Sequence, residues 1–144
     1  MARSQVSLVL LDTHVLVWLL NGDQKLNQKA LKAINRSMAE EAVLLSAISP
    51  WEISMLTSKG RLTLDRDVGE WVQAAVSVPG LRLEAISPEI AVASTRLPGK
   101  IHSDPADRLI AATARHLGAV LITDDQLLLD YGADGHLRVL KAGR

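Results

Sequence analysis

Apolar and polar positions along this chain follow two alternating patterns: short apolar runs, and longer stretches with helical periodicity. The apolar runs predict strands at residues 6–11, 42–47, 81–86, 119–123 and 137–140. The central strands are expected to be buried on both faces, and the last one to lie at an edge. Helical spacing and helix-boundary residues predict helices at 14–21, 27–39, 49–60, 67–78, 88–97 and 104–116, another helical turn from 124, and a turn at 131–135. This alternation predicts an α/β fold, a three-layer α/β/α sandwich around a mainly parallel central sheet.

Two of these helices begin with the same type of cap. Ser49 is followed by proline, and Glu52 stands three residues after the serine, which predicts a capping box with proline in the first helical position. Asp104 is also followed by proline, and Asp107 takes the third position. Both segments therefore predict a helix start that carries an acid in its first turn.

Length and composition fit one ordinary domain, which we assign to residues 1–144. Of the 144 residues, 48% are hydrophobic, enough to fill a core. Cysteine is absent, which excludes disulfides, thiolate nucleophiles and sulfur-ligated zinc, so any metal must bind oxygen or imidazole nitrogen. Sixteen basic residues balance sixteen acidic ones, so no global field attracts a polyanion. Several basic residues could still form a local patch: Arg61, Arg82, Lys100, Arg108 and Arg115.

The apolar stretch near the amino terminus does not resemble a secretion signal. Asp12 and His14 interrupt it, and no small-residue cleavage site follows. No uncharged run is long enough to span a bilayer. We therefore expect a soluble, cytoplasmic protein without membrane association.

Four carboxylates occupy corresponding places in the predicted fold, just after a strand or in the first turn of the helix that follows one. They are Asp12, Glu52, Asp107 and Asp125. In a parallel sheet these places open on one edge, where ligands bind. Two ionised carboxylates about 5 Å apart repel each other by roughly 3 kcal/mol at an effective dielectric constant near 20. A converging cluster must therefore bind a metal ion or take up protons.

Each acid also has a simpler explanation as a helix cap. Asp12 could be an N-cap, and Glu52 and Asp107 could serve only in capping boxes. The segment after the strand at 119–123 could be a solvated turn, and either Asp124 or Asp125 could point inward. Because helix N-termini favour acids, one residue can serve both purposes. No single position decides between a helix cap and a binding site. The corresponding placement of the four acids in the predicted fold favours a binding site.

Other candidate groups give weaker signals. Thr123 could donate its hydroxyl to a carboxylate or to a water on the metal. His14 and His102 lie near acidic positions and could touch substrate, although isolated histidines usually have no such role, whereas His116 and His136 look structural. No serine stands in the glycine-flanked elbow of a serine hydrolase, and no glycine-rich phosphate loop is present.

With these residues in place, the chain resembles the PIN-domain family and, within it, the VapC-type toxins of toxin–antitoxin pairs. The resemblance covers nearly the whole length and rests on four motifs in order: Leu-Leu-Asp-Thr-His at 10–14, Ser-Pro-Trp-Glu-Ile-Ser at 49–54, His-Ser-Asp-Pro-Ala-Asp-Arg-Leu-Ile-Ala-Ala at 102–112, and Leu-Ile-Thr-Asp-Asp at 121–125. It implies a ribonuclease that depends on Mg²⁺ or Mn²⁺ and cleaves RNA phosphodiester bonds.

The resemblance also implies residue roles and partners. The catalytic, metal-binding acids would be Asp12, Glu52, Asp107 and Asp125. Four neighbours could support them: Thr13, Asp104, Thr123 and Asp124. A homodimer is implied, together with a small antitoxin that covers the acidic groove and places a basic side chain among the carboxylates. Exposed apolar surface for such partners could include Trp18 and Trp51, although both tryptophans could equally fill the core.

Two rival functions are kept open. One is an Mg²⁺-dependent aspartyl-phosphate phosphatase or receiver-like domain, which also places an aspartate at a strand end. The additional acidic residues that such phosphatases and receivers carry are missing near Asp12. The other is a non-catalytic PIN-like domain that binds RNA or a partner protein. The substrate RNA and the number of metal ions are left open by the sequence.

Overall fold

A computed structural model describes residues 7–144 of the chain. It contains five strands, β1 to β5, at Val9–Leu11, Val43–Ser46, Leu81–Glu84, Val120–Thr123 and Val139–Lys141. Seven helices, α1 to α7, lie at Thr13–Asn21, Gln28–Ala39, Ile48–Ser58, Val68–Val76, Pro88–Ala93, Pro105–Leu117 and Gln126–Ala133. The elements predicted from the apolar pattern are therefore present, and Val6, the first residue of the first predicted strand, lies outside the described residues.

The five strands form one sheet in the order β3-β2-β1-β4-β5, and every neighbouring pair is parallel. Strand β1 lies in the centre, with Leu10 beside Leu44 of β2 and Leu121 of β4. Its carboxyl end therefore meets those of its two neighbours at one edge. The mainly parallel sheet predicted from the sequence is confirmed.

Each face of the sheet carries its own hydrophobic cluster. Val9 and Leu11 belong to a cluster that includes residues of α1, α2, α3 and α4, whereas Leu10 belongs to a second cluster with residues of α6 and α7. This division follows from the alternation of side chains along a strand. Helices thus cover both faces, which confirms the three-layer sandwich.

Several predicted boundaries are wrong, and three of these errors affect side-chain contacts described below. Helix α3 begins at Ile48, so Ser49 is not its N-cap and lies fully buried inside the first turn. The hydroxyl of Ser46 instead accepts the Ile48 N–H at 3.2 Å. Helix α5 ends at Ala93 rather than near Leu97, and the Ser94 carbonyl accepts a hydrogen bond from Arg108 Nε at 2.9 Å.

The third error concerns the segment predicted as a turn at 131–135. Tyr131 and the following residues to Ala133 continue helix α7. Leu128 and Tyr131 stand three positions apart on its buried face, and the Tyr131 hydroxyl donates to the Pro98 carbonyl at 2.5 Å. Burial of this face extends the helix past the position where the local sequence favours a turn.

Candidate active site

Asp12 directly follows the central strand β1 and is the N-cap of helix α1. Its Oδ1 accepts the Thr13 N–H at 2.8 Å, and its Oδ2 accepts the Thr123 hydroxyl at 2.6 Å. The residue is only 7% exposed. Burial raises its pKa above the ordinary 3.8, and the two hydrogen bonds partly offset that rise. Asp12 is thus a helix cap, but capping alone does not require a buried carboxylate at a strand end.

Glu52 reaches the same edge from helix α3. Its Oε1 accepts the Thr13 hydroxyl at 2.5 Å, and that hydroxyl lies 2.8 Å from the Ser49 hydroxyl. The capping box predicted for Ser49 and Glu52 is therefore wrong, because both side chains turn inward to Thr13. Burial raises the pKa of Glu52 above 4.5, and the negative charge of Asp12 raises it further.

Asp104 and Asp107 form only half of the predicted capping box. Asp104 caps helix α6, and its Oδ1 accepts the Asp107 N–H at 3.0 Å. The Asp107 carboxylate does not return the bond to Asp104. Its Oδ2 lies 2.6 Å from Nε2 of His102. The capping motif therefore presents Asp107 to the site.

Burial raises the pKa of Asp107 to about 7, and the negative charges of Asp12, Asp104 and Asp125 contribute to the rise. The hydrogen bond from His102 acts in the opposite direction. Asp107 therefore gains or loses a proton near neutral pH according to the charge around it.

Of the two neighbouring acids after strand β4, Asp125 faces Asp107. Asp125 caps helix α7, its Oδ1 accepting the N–H of Leu127 at 2.8 Å. Asp124 turns toward the carboxyl-terminal segment, where its Oδ1 accepts Gly143 N–H at 3.0 Å and Lys141 Nζ at 3.2 Å. Asp124 is thus not placed to support the cluster, although the sequence allowed that role.

The four acids selected from the sequence act on one another electrostatically. Asp12 raises the pKa of both Glu52 and Asp107, and Asp125 raises the pKa of Asp12 and Asp107. Such mutual repulsion is what a cluster at one sheet edge should produce. A divalent cation would relieve it, and a donor set of carboxylate oxygens with one imidazole nitrogen fits such an ion.

The sequence only partly predicts one close group of ligand atoms at this edge of the sheet. One ligand atom each from His102, Asp107 and Asp125 lies within 4.8 Å of the others. The sequence indicates His102 only as a histidine near acidic positions and does not predict its contact with Asp107. The signal available in the sequence was its position five residues before Asp107, on the loop that leads into helix α6.

Two members of the proposed basic patch are engaged elsewhere. Arg108 donates to the backbone carbonyls of Ser94, Ile101 and His102. Arg115 donates to the carbonyl of His136. Both guanidinium groups therefore bind the protein's own backbone, Arg108 from a half-buried position and Arg115 from an exposed one.

An apolar groove lies next to the acids, between helices α3 and α6. Its volume is about 310 Å³, and it is lined by Ile48, Trp51, Glu52, Met55, Asp104, Pro105, Ala106 and Leu109. Trp51 is 57% exposed, so it does not fill the core. Trp18 is partly buried and packs against the core cluster on the α1 side of the sheet.

The chain matches a known domain family and a known protein over most of its length. The sequence model described as the PIN domain matches residues 9–133. The chain is 36% identical over 120 residues to Ribonuclease VapC22 of Mycobacterium tuberculosis, with 83% of this chain and 88% of that protein covered.

Two solved structures have a similar fold. The VapBC2 complex of Rickettsia felis, bound to a DNA fragment from its promoter, matches with a TM-score of 0.68 and 17% identity over 93% of this chain and 98% of the matched one. DNA-bound VapBC from Salmonella typhimurium matches with a TM-score of 0.66 and 15% identity, covering 92% and 96%. At these identities the two structures establish similarity of fold alone.

Proposed function

The chain belongs to the PIN domain family, and on this premise we propose that it is a metal-dependent endoribonuclease, the toxin of a toxin–antitoxin pair. The observation that carries the proposal is the cluster of buried and half-buried carboxylates at the carboxyl end of the central strands, in which the negative charge of Asp12 raises the pKa of both Glu52 and Asp107. The 36% identity of the chain to Ribonuclease VapC22 supports RNA as the substrate.

The acids of the cluster hold Mg²⁺ or Mn²⁺ through their oxygen atoms. Asp12, Glu52, Asp107 and Asp125 are the ligand set of the proposal, and the absence of sulfur ligands suits these ions. When bound, the ion supplies the positive charge that makes water more acidic and offsets the negative charge developing on the phosphate.

The remaining residues hold the acids in place. Thr123 donates to Oδ2 of Asp12, and the N-cap bond from Thr13 N–H holds the other oxygen. Thr13 holds Glu52, and Ser49 orients the Thr13 hydroxyl. Since both carboxylates are already positioned in the folded chain, binding an ion requires little reorganisation.

The phosphatase alternative is less well supported. It requires Asp12 to attack phosphorus as a free nucleophile. Both Asp12 oxygens accept short hydrogen bonds and the residue is almost completely buried, which leaves little room for an approaching phosphoryl group. The non-catalytic alternative does not explain why four acids that repel one another are kept at one edge.

The partners of the proposal are RNA, a cognate antitoxin and a second copy of the chain. The antitoxin would cover the acidic site and place a basic side chain among its carboxylates. The apolar groove with the exposed Trp51 supplies surface for the homodimer. We assign the ribonuclease domain to residues 1–144 and propose that it acts in the cytoplasm. Among residues 7–144, no helix is both long and apolar enough to cross a bilayer.

Cleavage of RNA by the purified protein tests this proposal. We expect cleavage with Mg²⁺ or Mn²⁺, none with a chelator, and a loss of at least about 100-fold in the Asp12→Asn and Asp107→Asn variants, with the fold intact. Asp65→Asn is the matched control, since it removes the same charge at a side chain that is 76% exposed. Full activity in both site variants, or in the chelator, would refute the proposal.

A further inference from the structure

We infer that His102 binds the divalent ion directly through Nε2, together with Asp107 and Asp125, and that this nitrogen ligand makes the centre favour manganese over magnesium. This inference rests on the proposed function and adds a ligand that the acid motifs do not include.

The ligand atoms of His102, Asp107 and Asp125 are already close together. All of them lie within 4.8 Å of one another, a spacing that one ion can bridge after small side-chain movements. His102 Nε2 is only 2.6 Å from Asp107 Oδ2, and the two side chains are 20% and 15% exposed. A single hydrogen atom joins the nitrogen and the oxygen in this contact. A divalent ion can replace that hydrogen atom once the nitrogen and the oxygen move slightly farther apart, because metal–ligand bonds of about 2 Å do not fit within a contact of 2.6 Å.

The loop that carries His102 is fixed by the helix that carries Asp107. Arg108 Nη1 donates to the backbone carbonyls of Ile101 and His102, each at 3.3 Å. Its Nε also donates to the Ser94 carbonyl at 2.9 Å. Because Arg108 follows Asp107 directly, helix α6 presents one ligand and holds the backbone of the other. Such preorganisation lowers the entropic cost of binding.

An imidazole ligand changes which ion the site prefers. Mg²⁺ favours an all-oxygen environment and keeps several waters, whereas imidazole nitrogen suits first-row transition metals. The four acids alone offer only oxygen and would not discriminate strongly against Mg²⁺. With His102 as a ligand, Mn²⁺ is the better fit among the ions that carboxylates also bind.

A second histidine near the cluster provides an internal comparison. His14 on helix α1 is close enough for its charge to act on Asp12 and Glu52. It is exposed and does not join the group of ligand atoms within 4.8 Å. His116 lies in the last turn of helix α6, at the opposite end from Asp107. These two residues therefore serve as histidine controls.

Pulsed electron paramagnetic resonance of the Mn²⁺-loaded full chain tests the inference without an activity assay. We expect nitrogen modulation of the manganese signal in the wild-type protein, a changed pattern after ¹⁵N-histidine labelling, and loss of the modulation in His102→Gln. His14→Gln and His116→Gln should keep it. By titration, His102→Gln should weaken Mn²⁺ binding about 10-fold or more, the effect typical of a lost ligand contact, and Mg²⁺ binding by less than about 3-fold.

The outcomes separate this inference from the proposed function. Bound manganese without nitrogen coupling, or coupling that survives in His102→Gln, would overturn the role of His102 and leave the nuclease proposal standing. A wild-type protein that binds no Mn²⁺ would overturn both. If His102→Gln does not fold, replacing His14, His116 and His136 in turn still tests the assignment of the nitrogen ligand. A wild-type spectrum in all three variants leaves His102 as the histidine that binds manganese.

Discussion

The hydroxyl of Thr123 donates a 2.6 Å hydrogen bond to Oδ2 of Asp12, although the two residues are 111 positions apart in the chain. The bond joins the ends of strands β1 and β4, which pair in parallel. Asp12 is buried, so this donor replaces a contact that water would otherwise make. The central acid of the site is therefore held by the sheet itself.

Thr123→Val should weaken both the fold and the metal site. The change keeps the shape of the side chain but leaves a buried carboxylate oxygen without its donor, at a cost of about 1–3 kcal/mol in the free energy of unfolding. Mn²⁺ affinity should fall roughly 10-fold, because the orientation of Asp12 is lost. Chemical denaturation and calorimetric titration measure the two effects.

Thr113→Val is the matched control for this prediction. It also removes a buried hydroxyl, one that donates to the Leu109 carbonyl within helix α6 at 2.7 Å. It should leave Mn²⁺ affinity unchanged. Equal loss of affinity in the two variants would mean that Thr123 has no special relation to the site.

Thr13→Val should disconnect Glu52 from the site. Thr13 relays a hydrogen bond from Ser49 to Glu52, and valine removes both the donor and the acceptor. We expect metal affinity to fall about 10-fold and Thr13→Ser to restore most of it, because serine keeps the hydroxyl. Titration of the wild type, Thr13→Val and Thr13→Ser with Mn²⁺ measures the three affinities. If serine behaves like valine, the hydroxyl is not the group that matters.

The metal-free protein should lose stability as the pH rises from about 4 to about 7. Burial raises the pKa of Asp107 from 3.8 to about 7, so the folded chain keeps a proton that the unfolded chain releases first. The free energy of unfolding therefore falls through this window and levels off above it. Asp12 and Glu52, whose pKa values are raised in the same direction, add to the fall. Thermal unfolding in a chelator at several pH values measures it.

Two comparisons make the pH prediction specific. Asp107→Asn should show a smaller loss between pH 4 and 7, whereas Asp65→Asn should follow the wild type. Excess Mn²⁺ at pH 8 should restore the lost stability, because the ion binds only the ionised carboxylates of the folded state. A metal-free stability that stays level or rises over this window would contradict the electrostatic account of the cluster.

Trp51→Glu should convert the proposed dimer into a monomer. Trp51 is 57% exposed beside the apolar groove between helices α3 and α6, and a charge there would oppose burial against a second copy. Leu127→Glu is the control, since Leu127 is also exposed, at 54%, but does not line the groove. Sedimentation velocity of the two variants and the wild type gives the result; dissociation by Leu127→Glu alone would place the interface elsewhere.

The sequence was sufficient for the order of elements and for the edge at which the acids meet. Apolar runs such as that of strand β4 predict buried strands, and parallel strands bring Asp12 and Asp125 to the same edge. The PIN-like fold follows from this regular alternation. The role of the four acids as catalytic metal ligands stays a prediction.

Details that depend on side-chain contacts between distant segments were not predictable. The local pattern at Ser49 and Glu52 is that of a capping box, yet both residues turn to Thr13 on another helix. Asp124 binds Gly143 and Lys141 on the carboxyl-terminal segment, which only the fold brings near. Local propensity did not identify these partners, because packing against the sheet decides which way each side chain points.

Anomalous diffraction from crystals grown with Mn²⁺ near pH 8 tests the central claim most directly. The account predicts one or more manganese peaks among Asp12, Glu52, Asp107 and Asp125, with at least Asp107 as a direct ligand. Peaks confined to other parts of the surface, or carboxylates left without an ion at saturating Mn²⁺, would contradict it.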